Sequence, residues 1–119
     1  MQRITAAQLR LAAETPRLVS AVARGRVVEA RAAAAHRLAG TPWALNSDVP
    51  GPWLRGPAAR LGGAATAILD RALERGGITM RGYDRVLRVA WSIADLQGVS
   101  RPGIEQVGQA LYLRKGMTS

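Results

Sequence analysis

The chain has no cysteine and no phenylalanine, one histidine and a single lysine, Lys115. Without cysteine there are no disulfides and no thiolate metal ligands, which fits a cytoplasmic protein. His36 has no partner at metal-ligand spacing, so no metal site is expected and the residue reads as a surface or boundary position. No apolar run approaches the roughly 18 residues that span a bilayer, so no membrane partner is expected. The first residues, MQRITAAQLRLAAETP, lack an apolar stretch followed by a small-residue cleavage site, which excludes a visible secretory signal. The most consequential absence is a P-loop. That motif needs a lysine closing a glycine-rich loop so that backbone N–H groups and the ammonium surround phosphates. Lys115, followed by Gly116 and Met117, has no such loop before it, and no acidic run after an apolar strand could hold Mg²⁺. By itself the chain is not a P-loop ATPase.

Acidic residues are scarce as well. Eight of them face sixteen arginines and one lysine, for a formal charge of +9 over 119 residues. That balance favours polyanions, with nucleotide and DNA as the natural candidates. The plainer alternative is a surface on which arginine has replaced lysine for genomic base-composition reasons. At 48% hydrophobic residues the chain can build one modest core.

The pattern is all-α, with no convincing strand. Residues 5–14 read as a short helix ended before Pro16. Residues 16–39 are rich in alanine and arginine and favour a long helix, with Gly25 as a weak point and Gly40 as its stop. Residues 41–57 hold four prolines and two glycines, which predicts a loop without regular structure. A third helix is expected over 58–75, with Leu61, Ala65, Ile68, Leu69, Ala72 and Leu73 on one side and Gly76–Gly77 ending it. A fourth follows over 80–96, and the last over 102–115 has Ile104, Val107, Ala110 and Leu111 facing inward and Pro102 at a permitted early position. The result is a bundle of four to five helices with a long Pro/Gly-rich loop. Trp43 and Trp53 are expected to pin that loop to the helices as a rigid strap, and Asn46 and Asp48 to make local Asx turns.

The fourth helix is the most informative. Thr79 is a natural N-cap, and Tyr83, Val86, Leu87, Ala90, Ile93 and Ala94 recur at helical period as a buried stripe. Its first turn breaks the rules. Arg81 sets a cation at the positive end of the helix dipole, costing about 0.3–1 kcal/mol, and Gly82 costs about another 1 kcal/mol relative to alanine. A cation and bare backbone at a helix start suit a phosphate group. Arg85 and Arg88 lie within about 60° of Arg81 around the helix. For these two the reading is a solvated basic face paired with Asp84 and Asp95.

TMRGYDRVLRVAWSIADLQG, residues 79–98, resembles the C-terminal helical signature of the magnesium-chelatase-like AAA+ ATPases, and specifically of the YifB/ComM competence-protein group. GTPWALNSDVPGPWLR, residues 40–55, is similar to that group's Asn-x-x-x-Pro-Gly-Pro-x-Leu-Arg loop. Pro102, Val107, Ala110–Leu111 and Leu113–Arg114 fit the closing helix, so the likeness covers roughly residues 24–116.

The resemblance implies a lid domain over residues 16–116, with a connector at 1–15, a tail at 117–119 and a nucleotide-binding core preceding Met1. Its partners would be the ATPase core of the same polypeptide, neighbouring subunits of a homo-oligomeric ring, and DNA. ATP and Mg²⁺ would be cofactors of the parent protein and not be held by this piece alone. Arg81 would take the sensor-2 role near the γ-phosphate, with Arg85 a weaker candidate.

Two other readings stay open: an autonomous helical nucleic-acid-binding module, suggested by charge, and the lid of a magnesium-chelatase ATPase subunit. For DNA, the first candidate is the stripe Arg17, Arg24 and Arg31, repeating every seven residues, with Arg10 in phase. Only Glu14 and Glu29 offset the seven arginines before Gly40.

Overall fold

The computed structural model describes residues 16–118. The helix expected over 5–14, Arg10 and the proposed connector lie outside the described residues, as does the side chain of Arg17. Among the described residues there are five α-helices and no strand: α1 (Pro16–Arg37), α2 (Gly51–Leu54), α3 (Gly63–Glu74), α4 (Met80–Gln97) and α5 (Ile104–Thr118). No helix among them is long and apolar enough to cross a membrane.

The organising element is α4, which touches each of the other four helices. Thr79 caps it as expected, its hydroxyl accepting from the Gly82 N–H at 3.1 Å. At the other end Gly98 takes φ 72°, the left-handed conformation that a Cβ resists. The Val99 N–H then returns to the Ala94 carbonyl at 2.9 Å and the Gly98 N–H to Asp95 at 3.3 Å, the paired bonds of a Schellman stop. Between these ends, Tyr83, Val86, Leu87, Ala90 and Ala94 are buried and Ile93 is half-buried, as the period required.

Against that stripe pack Leu69 of α3 and Val107, Ala110 and Leu111 of α5, with Leu38, Val49 and Leu54 completing the core. The Tyr83 hydroxyl donates to Asp70 at 2.7 Å, tying α4 to α3. Burial, reinforced by that hydrogen bond and the Asp70 charge, pushes the Tyr83 pKa up to about 12. The start of α5 is fixed by glutamines. Gln106 accepts from the Gly103 N–H and donates to Gln97, both at 2.8 Å.

Several expectations need correction. The first long helix stops at Arg37 and not at residue 39, although Leu38 still donates back to Ala34. The third helix starts at Gly63 and not at 58, because Gly56 closes a turn onto Ala59 and Arg60 first. Leu61 reaches the core from this irregular stretch. The closing helix begins at Ile104 rather than at 102. Ile68 and Ile104 share the phase of the buried stripes yet are 44% and 66% exposed, beyond the width of the helix contacts.

Residues 41–57 are not wholly irregular. They hold a 3₁₀ turn at Asn46–Asp48 and the single helical turn α2. Pro52 is compatible with α2 because it sits in the first turn, where its missing N–H has no helical partner.

This loop is a strap bound along α4. Asn46 donates to Asp95 at 2.8 Å and to Ser92 at 3.2 Å, in place of the expected local Asx turn. Arg88 Nε donates to the Val49 carbonyl at 2.8 Å, and Arg55 Nε to Asp84 at 2.9 Å. A Cβ on Gly51 would run into the Asp84 carboxylate, so only glycine permits this approach. Trp43 and Trp53 meet edge to face with centroids 5.6 Å apart and pack against the core, as expected of pins.

Of the α1 side chains that are described, those toward its C-terminus reach the core. Ala34 and Leu38 are buried, whereas residues 23–29 are all exposed. Its last turn is anchored by Arg37, whose guanidinium bonds Asp95 at 2.6 Å and lies 4.2 Å from the centre of the Trp91 ring. The pairing expected between the α4 arginines and Asp84 or Asp95 is therefore absent, since Arg55 and Arg37 hold those carboxylates. His36 is exposed.

Candidate anion site

The first turn of α4 forms one wall of a cavity of about 410 Å³. Thr79, Arg81, Gly82 and Arg85 line it from α4, and Leu113 and Arg114 from α5, with Val86, Val89 and Ala110 as its apolar floor. Arg81 and Arg85 are exposed, and Arg114 is half-buried. Three arginines from two helices thus line one hollow, and among the described residues that line it none is acidic.

Gly82 has a steric reason here. A Cβ at this position would lie 3.1 Å from Arg114 Nη2, 3.2 Å from Nε and 3.4 Å from Cζ. The Arg114 guanidinium therefore rests on bare backbone, and a methyl group would force it to shift by a few tenths of an ångström. The residue that weakens α4 as a helix is the one that admits the third cation.

The sequence-derived candidates fall into two groups. Arg81 and Arg85 come together at this cavity, while Arg88 leaves the set because the Val49 carbonyl holds it. Arg24 and Arg31 are both exposed on α1. Because α1 is tied at Asp95, fourteen residues along α4 from Arg81, the anchor lies about 21 Å from Arg81 along the helix axis. The α1 stripe and the cavity are separate features. Arg114 was missed as a site residue, since nothing in its own segment shows which helix it meets. The only signal was Gly82, a helix-weakening residue in the first turn of an otherwise strong helix.

The cavity can accept an oxyanion, since arginine forks match phosphate oxygens and an apolar floor strengthens the attraction. Among the described residues no group of three His, Asp or Glu side chains comes together.

Fold and cavity together define a small helical accessory domain with one strongly cationic hollow. The family described as magnesium chelatase, subunit ChlI C-terminal, matches residues 18–114. The chain belongs to that family, the C-terminal helical domain of magnesium-chelatase-like AAA+ ATPases. Among its relatives are uncharacterised proteins of Mycobacterium tuberculosis (strain H37Rv) and Mycobacterium bovis, each 48% identical over 92 residues. The match spans 77% of this chain and 18% of each relative. No solved structure matches the chain.

Proposed function

We propose that this domain is the lid of a ComM-like AAA+ ATPase, a ring-forming motor that acts on DNA during natural transformation and recombination. In this reading the core of the same polypeptide binds ATP with Mg²⁺ and carries out hydrolysis. The lid closes over the nucleotide, with Arg81 approaching the terminal phosphate and Arg85 giving weaker support. The observation that carries it is the hollow shared by Arg81, Arg85 and Arg114, with no acid among its described lining residues. Cations placed where charge shifts during phosphoryl transfer lower the barrier without having to reorganise, which is how an arginine outside the core can govern turnover.

The test is Arg81→Ala in the complete ATPase. The substitution removes a cation from the positive end of a helix, so the fold should be unharmed or slightly more stable. Hydrolysis should fall by at least tenfold, since arginines supplied to such sites are worth up to about 10³–10⁵ in rate. Arg85→Ala should be milder. Unchanged turnover in Arg81→Ala would reduce Arg81 to surface charge.

A second reading, direct DNA contact by this domain, is favoured by one observation: Arg24 and Arg31 are both exposed on α1. Such contact would follow phosphates and not bases, and would weaken steeply with salt through counterion release.

A further inference from the structure

We propose that Arg114 is a second phosphate-directed residue of the lid, acting from α5 together with Arg81, and that Gly82 is there to seat it. The proposal rests on the nucleotide-sensing reading above and goes beyond it in assigning the closing helix a part in ligand recognition.

The α5 side of the cavity is contributed by Ala110, Leu113 and Arg114, and the other side by Thr79 and the first three turns of α4. The guanidinium of Arg114 lies over the backbone of Gly82, next in sequence to Arg81. The two cations thus approach one hollow from different helices. Arg114 also engages another group of the protein, so its role as a ligand contact requires only the part of the guanidinium that lines the cavity.

Electrostatics gives the second step. Three like charges around one hollow repel one another, and Arg114 is half-buried, where that repulsion is less screened than at an open surface. An anion in the hollow would be attracted to all three. A chain of phosphates suits the arrangement better than a single small anion, because it can meet Arg81 and Arg114 with different phosphate groups. Guanidinium forks from two directions would also fix its orientation.

The third step concerns Gly82. In the first turn of α4 alanine would be the better helix former. The three nearest atoms that an added methyl group would meet all belong to the Arg114 guanidinium, so the cost of glycine has a structural return if the position of Arg114 matters. Gly82→Ala should therefore leave the domain at least as stable while moving Arg114 out of place.

The experiment titrates this chain with inorganic tripolyphosphate at low salt, by calorimetry and by NMR of the arginine side-chain N–H groups, alongside thermal unfolding of each variant. Arg114→Ala should weaken binding roughly 10- to 100-fold, the range for losing a charged hydrogen-bonding group. Arg114→Lys should recover part of that loss, and Gly82→Ala should weaken binding without lowering the melting temperature. Arg24→Ala, remote from the cavity, should change binding less than twofold.

If Arg81→Ala weakens binding tenfold and Arg114→Ala does not, the role of Arg114 is refuted while the sensor reading stands. Equal losses in Arg24→Ala, Arg81→Ala and Arg114→Ala would mean diffuse charge attraction and would overturn the proposal. A loss in Arg114→Ala accompanied by unfolding is decided by Gly82→Ala, in which unchanged affinity overturns it. No binding by the unaltered chain at low salt would overturn this proposal, while the sensor reading is decided separately by the turnover of Arg81→Ala in the complete ATPase.

Discussion

Removing the carboxylate of Asp95 should loosen three elements at once. Arg37 of α1 bonds it at 2.6 and 3.1 Å, and Asn46 of the strap donates to it at 2.8 Å. The Asp95 side chain is 3% exposed and Arg37 22% exposed. Breaking a buried ion pair by deleting one partner costs about 3–5 kcal/mol, because the other charge is left desolvated. Arg37 is not fully enclosed and keeps the face of Trp91 at 4.2 Å, so part of that penalty is relieved. The expected loss for Asp95→Ala is therefore about 2–4 kcal/mol. In a domain of about this size that is a drop in melting temperature of roughly 10–25 °C. The assay is urea unfolding followed by tryptophan fluorescence and circular dichroism, with Arg37→Ala and the double variant completing a cycle. The two losses should be less than additive by at least about 1 kcal/mol. Additive losses, or an Asp95→Ala cost under about 0.5 kcal/mol, would refute the view that this carboxylate joins α1, the strap and α4.

Gly51→Ala should destabilise by about 2–4 kcal/mol, since the new Cβ must displace the buried Asp84 carboxylate from Arg55; a melting temperature unchanged by the substitution would contradict the packing. For Tyr83 the folded pKa of about 12 exceeds the ordinary tyrosine value of 10.0, so the folded state keeps a proton that the unfolded chain loses. Stability from this group is complete below pH 10 and falls as pH rises from 10 to 12, a decline that Tyr83→Phe should remove in pH-dependent denaturation curves. Charge reversal at Arg17, Arg24 and Arg31 should weaken any DNA binding more than the same change at Arg85 and Arg88, read by fluorescence anisotropy at several salt concentrations. Equal losses would place the contact elsewhere.

The elements legible from sequence are those whose signals are local and concordant. α4 has a cap at Thr79, an apolar period and a left-handed glycine at 98, and all three agree with its observed limits. α3 was over-extended because residues 58–62 favour helix and Leu61 sits in phase, whereas the turn closed at Gly56 decides the start. Pro50–Gly51–Pro52 read as a breaker, yet a proline in the first turn is compatible with a helix, and Asp84 packs closely against Gly51. Asp84 and Asp95 were given to arginines on their own helix because i, i+4 rules see one helix only. Arg55 and Arg37 hold them instead, from 29 and 58 residues away in sequence. Arg114 was out of reach for the same reason, since its meeting with Gly82 depends on the register of two helices. The Asn-x-x-x-Pro-Gly-Pro-x-Leu-Arg loop could be recognised without being explained. Its Asn46, Gly51 and Arg55 turn out to be the strap's points of attachment or closest approach to α4.

Around α4, at about 100° per residue, three kinds of residue occupy three sectors. Tyr83, Leu87, Ala90 and Ala94 face the core, and Asp84, Arg88, Ser92 and Asp95 form a polar row that grips the strap and α1. Arg81, Gly82, Arg85, Val86 and Val89 face the cavity. Arg81, Arg85 and Arg88 look equivalent by spacing, yet the border between the last two sectors runs through them. Arg88 is committed to the Val49 carbonyl, which fixes the strap, and Arg81 and Arg85 are left to the cavity. The clamps matter to the cavity as well. An arginine can discriminate a phosphate position only if the helix carrying it is held, and Asp84 ties α4 to Arg55 three residues beyond Arg81. The polar row thus serves the cationic one: the strap holds α4 so that the first turn of that helix can afford a charge and a glycine that helix formation alone would reject.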